Sequence, residues 1–164
     1  MSLNRLLMAC ALALLAAGCG SDNPAGPDPG GTGSGGSSTK TMTVTIDGVA
    51  FTPNLVTAVR SNPGVEIVTI GGTASNGTTV GFAAPTQVGV FNVNGPVTAR
   101  GQGTMTIVSG ATGTGYLAFL TQGSGTVTIT SINTTAVAGR VDLVMAPTTA
   151  GANKTVSGTF NVAF

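Results

Sequence analysis

Thr41 to Ile46 reads T-M-T-V-T-I, hydroxyl and apolar side chains in strict alternation. A two-residue period divides a chain into one wet and one dry face only when the backbone is extended, so this segment can be a half-buried β-strand and little else. Asp47-Gly48 follows, a pair that suits the two left-handed central positions of a type I′ turn, and Val49 to Thr52 can return beside the first strand until Pro53.

The same grammar runs to the end of the chain. Leu55 to Arg60 and Val65 to Ile70 flank the turn residues Ser61-Asn62-Pro63-Gly64, and Asn76-Gly77 precedes Thr78 to Ala83. Gln87 to Val93 is a short strand closed by Asn94-Gly95-Pro96. Val97 to Val108 reads as one long strand with a bulge near Gly101 or Gly103. Tyr116 to Leu120, Thr126 to Ile132, Val137 to Met145 and Thr155 to Phe164 complete the series, with Gly110 to Gly115 and Gly123 to Gly125 as turns. β-Branched Thr and Val dominate, and no stretch shows a helical period. The expectation is an all-β domain over residues 40–164: an antiparallel β-sandwich, jelly-roll-like or a flattened barrel, of about nine or ten short strands. A segment of about 125 residues is one domain and buries enough surface to fold without disulfides or metals.

What precedes the domain is of another kind. Arg5 supplies a positive start, Leu6 to Ala17 are apolar apart from Cys10, and the small residues Ala16-Ala17-Gly18 lead to Cys19. That is the three-part layout of a secretory signal peptide, and a run of about a dozen apolar residues is short of the roughly twenty that span a bilayer. Residues 1–18 therefore read as a signal peptide. Gly20 to Thr39 is rich in Gly, Ser and Pro with almost no apolar side chain, and reads as a disordered linker whose root-mean-square span is roughly 25 Å. Gly31 to Gly36 fits G-x-G-x-x-G, but no strand precedes it, so dinucleotide binding has no support.

Leu15-Ala16-Ala17-Gly18-Cys19 resembles the lipobox of bacterial lipoproteins, although Leu15 stands one place earlier than the family's usual leucine. The resemblance implies that Cys19 becomes the first mature residue and carries acyl chains such as palmitate, anchoring residues 19–39 and the domain beyond to a membrane. Cys10 also follows an aliphatic and a small residue, but cleavage there leaves too short an apolar segment. In that family an aspartate after the cysteine favours retention at the inner membrane; Gly20 in that place implies the outer membrane of a two-membrane envelope. One acyl chain holds only marginally, while two or more give stable anchoring. From Gly123 onward, G-S-G-T-V-T-I-T-S-I, G-R-V-D-L-V and V-S-G-T-F-N-V-A-F are similar to all-β domains of unknown function borne by bacterial lipoproteins, and that likeness brings no active site.

Charge and composition narrow the chemistry. Charged residues are 7% of the chain, the net charge is +1, and the charges beyond Thr39 are dispersed, so nucleic acid has no basic patch to meet. Histidine is absent and both cysteines belong to the leader, which removes imidazole metal sites and the usual Ser-His-Asp and Cys-His nucleophiles. No metal or other cofactor is implied, and the expectation is a non-catalytic structural or binding module.

Within residues 40–164, Glu66 and Asp142 are the remaining acids outside the Asp47 turn, and an envelope enzyme could use them as a carboxylate pair only if the fold brought them together. Arg60, Arg100 and Arg140 are candidate ligand anchors, because a guanidinium offers a planar fork to carboxylate or phosphate. Tyr116, the only tyrosine, is the remaining ligand candidate or a core-edge residue. The Thr-x-Thr runs at Thr41/Thr43/Thr45, Thr104/Thr106 and Thr126/Thr128/Thr130 would form a hydroxyl array if aligned on one flat sheet. Val156, Phe160, Val162 and Phe164 resemble the closing strand of an outer-membrane barrel, an alternative that short strands and few aromatics count against. Low charge also leaves strand edges weakly defended, so association with another envelope protein or with a second copy is expected there.

Overall fold

Alternation in the sequence becomes inside and outside in the structure, a computed structural model that describes residues 40–61 and 66–164. Residues 1–39, where the signal peptide, the lipidated Cys19 and the linker are expected, and residues 62–65 of the expected Ser61–Gly64 turn lie outside the described residues. In β1 (Thr41–Ile46) Met42 and Val44 are buried while Thr41 and Thr43 are exposed. Asp47 and Gly48 have φ of 50° and 77°, the pair of left-handed residues a type I′ hairpin requires, and β2 (Val49–Phe51) returns alongside.

The remaining strands are β3 (Leu55–Ser61), β4 (Ile67–Thr73), β5 (Thr79–Pro85), β6 (Gly89–Asn92), β7 (Gln102–Ser109), β8 (Thr112–Ala118), β9 (Ser124–Ile132), β10 (Ala136–Pro147) and β11 (Lys154–Ala163). All pair antiparallel, in one open sheet of eleven strands. The twelve-residue β10 is the hinge of the architecture. Its residues Val137 to Val144 pair with β9, and Ala146 and Pro147 pair with β8, so the strand passes from one half of the sheet into the other. The front half runs β2-β1-β11-β10-β9-β6 and the back half β8-β7-β5-β4-β3.

The two halves share one core. Val137, Val141, Leu143 and Met145 of β10, Val156, Phe160 and Val162 of β11, and Val68, Ile70, Val80 and Phe82 of β4 and β5 are all buried. Phe82 from the back half stacks on Phe160 from the front, ring centroids 6.4 Å apart. The arrangement is sandwich-like, with side chains filling the space between the halves.

One bulge sets the register of the hinge. Ala138 pairs with Ser131 and Gly139 with Ile129, which leaves Thr130 as the extra residue on β9. Val127 and Ile129 face the core, and the extra residue lets Ile132 return to it three positions later, where strict alternation would expose it. Opposite the bulge, a Cβ on Gly139 would stand 2.6 Å from the Phe160 ring and 2.1 Å from the Thr128 carbonyl oxygen, so only glycine lets the three strands close.

Three local readings change. Val97 to Val108 is not one strand: Val97–Ala99 is a 3-10 turn after Pro96, and pairing starts again at Gln102. The Gly101 N–H donates to the Asn92 carbonyl, which folds this segment back on β6 rather than extending it. Gly110 to Gly115 is not a turn throughout, because Ser109 pairs with Thr112 and only Gly110-Ala111 make the bend. Gly123 to Gly125 is likewise shorter as a turn, since β9 begins at Ser124.

The candidate polar face of the front half

Register along the front half sets hydroxyl and charged side chains side by side. Thr43 pairs with Thr159, Thr159 with Arg140, and Arg140 with Thr128, the last buried beneath its neighbours. The next row outward-facing in the same direction is Thr45, Ser157, Asp142 and Thr126. Each row sets one charged side chain among hydroxyls, and the two charges are alternate residues of β10, both exposed. Thr45 Oγ1 and Ser157 Oγ lie 3.1 Å apart, so these hydroxyls bond to each other across the strands.

Thr126, Arg140, Val141, Asp142, Ser157, Gly158 and Thr159 line a shallow depression of about 320 Å³ between β9, β10 and β11. The ion pair formed among the described residues is Asp47 with Lys154, so the guanidinium of Arg140 and the carboxylate of Asp142 are not committed to one. The depression presents one cation, one anion and a ring of hydroxyls, a set that can orient a polar ligand by hydrogen bonds.

The structure separates the other candidates. Glu66 precedes β4 in the back half, where its carbonyl accepts from the Thr86 N–H, and the depression around Asp142 holds no second carboxylate. Arg60 donates from Nη2 to the Asn133 carbonyl in the β9–β10 turn and lies 4.3 Å from the centre of the Phe164 ring. Arg100 donates from Nε to the Gly95 carbonyl at 2.8 Å and covers Phe119. These two guanidiniums hold their own chain together, which takes them out of the set of open ligand anchors. Tyr116 is 9% exposed and belongs to the core, so its ring offers no face to a ligand.

The hydroxyl runs divide as well. Thr104 and Thr106 lie on β7 of the back half, while β1 and β9 are separated by β11 and β10. What continues the array between them is Thr155, Ser157 and Thr159 of β11, and the charges of β10 interrupt it. Arg140 and Asp142 alternate with the buried Val141 and Leu143; that Ser157 and Thr159 stand beside them depends on long-range pairing.

Sequence reasoning assigned Asp47 only to its turn, yet it also fastens the first hairpin to β11. Its carboxylate accepts from Lys154 Nζ at 2.7 Å and from the Thr155 N–H at 2.8 Å, and its own N–H donates to the Thr155 carbonyl. The Lys154 hydrogen bond first, and the Thr155 N–H second, hold the Asp47 carboxyl below its ordinary range, and Asp47 in turn raises Lys154.

No family model, curated protein or solved structure matches the chain.

Proposed function

We propose that the chain is a lipid-anchored protein of the bacterial cell envelope, acylated at Cys19, whose β-domain is a non-catalytic binding or structural module. The observation that carries this reading is the succession Arg5, apolar Leu6 to Ala17, Ala17-Gly18-Cys19 and a polar linker, an order that a secreted, lipidated chain requires and a cytoplasmic one does not. Two or three acyl chains on one cysteine hold firmly, since each buried methylene contributes about 0.8 kcal/mol. In a two-membrane envelope Gly20 favours the outer membrane. The linker then sets the domain off the bilayer by roughly its own width.

The domain's part is contact. The face around Arg140 and Asp142 has hydroxyls and two opposite charges but no imidazole or thiol, because the chain has no histidine and its cysteines lie in the leader. Such a face holds a polar partner better than it activates a nucleophile. Fractionation of cells expressing the wild type and Cys19→Ser tests the anchor: the wild type is expected to sediment with membranes and to partition into detergent, and the variant to be soluble or retained as uncleaved precursor. A wild type released as a soluble protein would overturn the reading.

A further inference from the structure

The open sheet leaves three strands with one unpaired side among the described residues, and they are defended very differently. At β6, only four residues long, the Asn92 carbonyl already accepts from the N–H groups of Gly95 and Gly101, so the following segment takes up one end of that short edge. At β2 only three residues are extended. β3 has seven, with no proline and an unbroken register from Leu55–Thr73 to Ser61–Ile67. Natural sheets guard such an edge with charges, proline or bulges. The one charge on β3, Arg60, is turned back onto Asn133 and Phe164 at the far end.

Which backbone groups are open follows from the ladder. The Ala74 N–H donates to Thr78 and the Thr86 N–H to Glu66, so even-numbered residues of β4 bond to β5 and odd-numbered ones face β3. Leu55, Thr57 and Val59, opposite Thr73, Gly71 and Thr69, therefore spend their groups on β4. Val56 and Ala58 point theirs outward. On the outer face, Leu55 and Val59 are 56% and 45% exposed and stand symmetrically about Thr57.

We propose that β3 pairs antiparallel with β3 of a second copy, about a two-fold axis through Thr57. That register hydrogen-bonds Val56 to Ala58 of the second copy and the reverse. It sets Leu55 beside Val59 of the second copy at both ends, and brings the two Thr57 residues face to face in the close, non-hydrogen-bonded type of pair. No like charges meet across the axis, and an isologous contact of this kind closes on itself without forming fibres. The occupant is a second copy because the edge is complementary to itself: both its apolar side chains find a partner in one register. The area is small for a stable interface, so the dimer is expected to be weak and reversible, in the micromolar range. The proposal does not depend on acylation.

The test uses the full chain with Cys10→Ser and Cys19→Ser, kept in detergent. Thr57→Cys on that background is expected to form an intermolecular disulfide under mild oxidation, since Cα atoms of a non-hydrogen-bonded pair lie about 4.5 Å apart, within disulfide reach. A mixture of Leu55→Cys and Val59→Cys chains should cross-link, whereas Thr69→Cys on the neighbouring strand should not. Val59→Lys, an exposed substitution whose folding is checked by circular dichroism, should weaken self-association at least tenfold in sedimentation equilibrium. A chain that stays monomeric at high-micromolar concentration would overturn the proposal. So would a dimer that survives Val59→Lys without the Thr57 cross-link, which would place the contact on another surface.

Discussion

Asp47 shows how much one side chain can hold and how little of that is local. Its left-handed backbone at the head of the first hairpin was legible, because Asp-Gly is one of few pairs that enter that conformation cheaply. Its ties to Lys154 and Thr155 were not, since they join residues more than a hundred positions apart. The carboxyl's value is depressed on folding, so its contribution to stability is complete above the ordinary carboxylate value and is lost as pH falls through the lower, folded one. Lys154 is raised, so its contribution is complete below the ordinary lysine value and is lost as pH climbs through the higher, folded one. Asp47→Asn should therefore lower the thermal midpoint at neutral pH, with the gap to wild type closing as the solution becomes more acid than pH 4 or so. Thermal melts of both chains across pH check this; a gap that stays constant into strong acid would contradict it. Gly139 is the second sensitive position. Gly139→Ala pushes a methyl group onto Phe160 and Thr128, and should cost about 2–3 kcal/mol, read from the urea midpoint.

Strands were the most legible elements, because alternation is a statement about faces: β1 alternates hydroxyl and apolar residues, and in β10 every second residue from Val137 to Met145 is buried. Glycine runs were the least legible. Glycine usually marks a turn, but Gly113 and Gly115 belong to β8 because neighbours need the room: a Cβ on Gly115 would stand 3.0 Å from Thr148 Oγ1. The sequence does not distinguish glycine needed for bending from glycine needed for close approach. The bulge at Thr130 gives a sharper test of the element reading. With Thr130 deleted, Ile129 still meets Gly139, Ser131 still meets Ala138 and Ile132 still meets Val137, so every side chain keeps its face. The deletion should leave a folded chain with an unchanged β spectrum by circular dichroism. Ile129→Ala, one residue away and fully buried, should cost about 2–5 kcal/mol by cavity formation. Reversal of that order would show that the register around the hinge is wrong.

For the molecule as a whole, the all-β class stood in the sequence, while strand order did not. Local pattern sets which faces are apolar; it leaves open that β1 lies beside β11, or that β10 crosses between halves, because those pairings are settled by the joint fit of a core spanning Met42 to Val162. The candidate face inherits that division. Arg140 and Asp142 could be read as outward by alternation, but only the assembled sheet ranks Thr159 and Ser157 on one side of them and Thr128 and Thr126 on the other. The tether proposed at Cys19 is what gives this hydroxyl-faced β-domain its place in the envelope reading. Intact-mass and peptide mass spectrometry of the mature protein from the membrane fraction tests it directly. The expected result is a chain that begins at Cys19 and carries the mass of at least two acyl chains there; a mature chain that begins elsewhere, or at an unmodified Cys19, would overturn the tether.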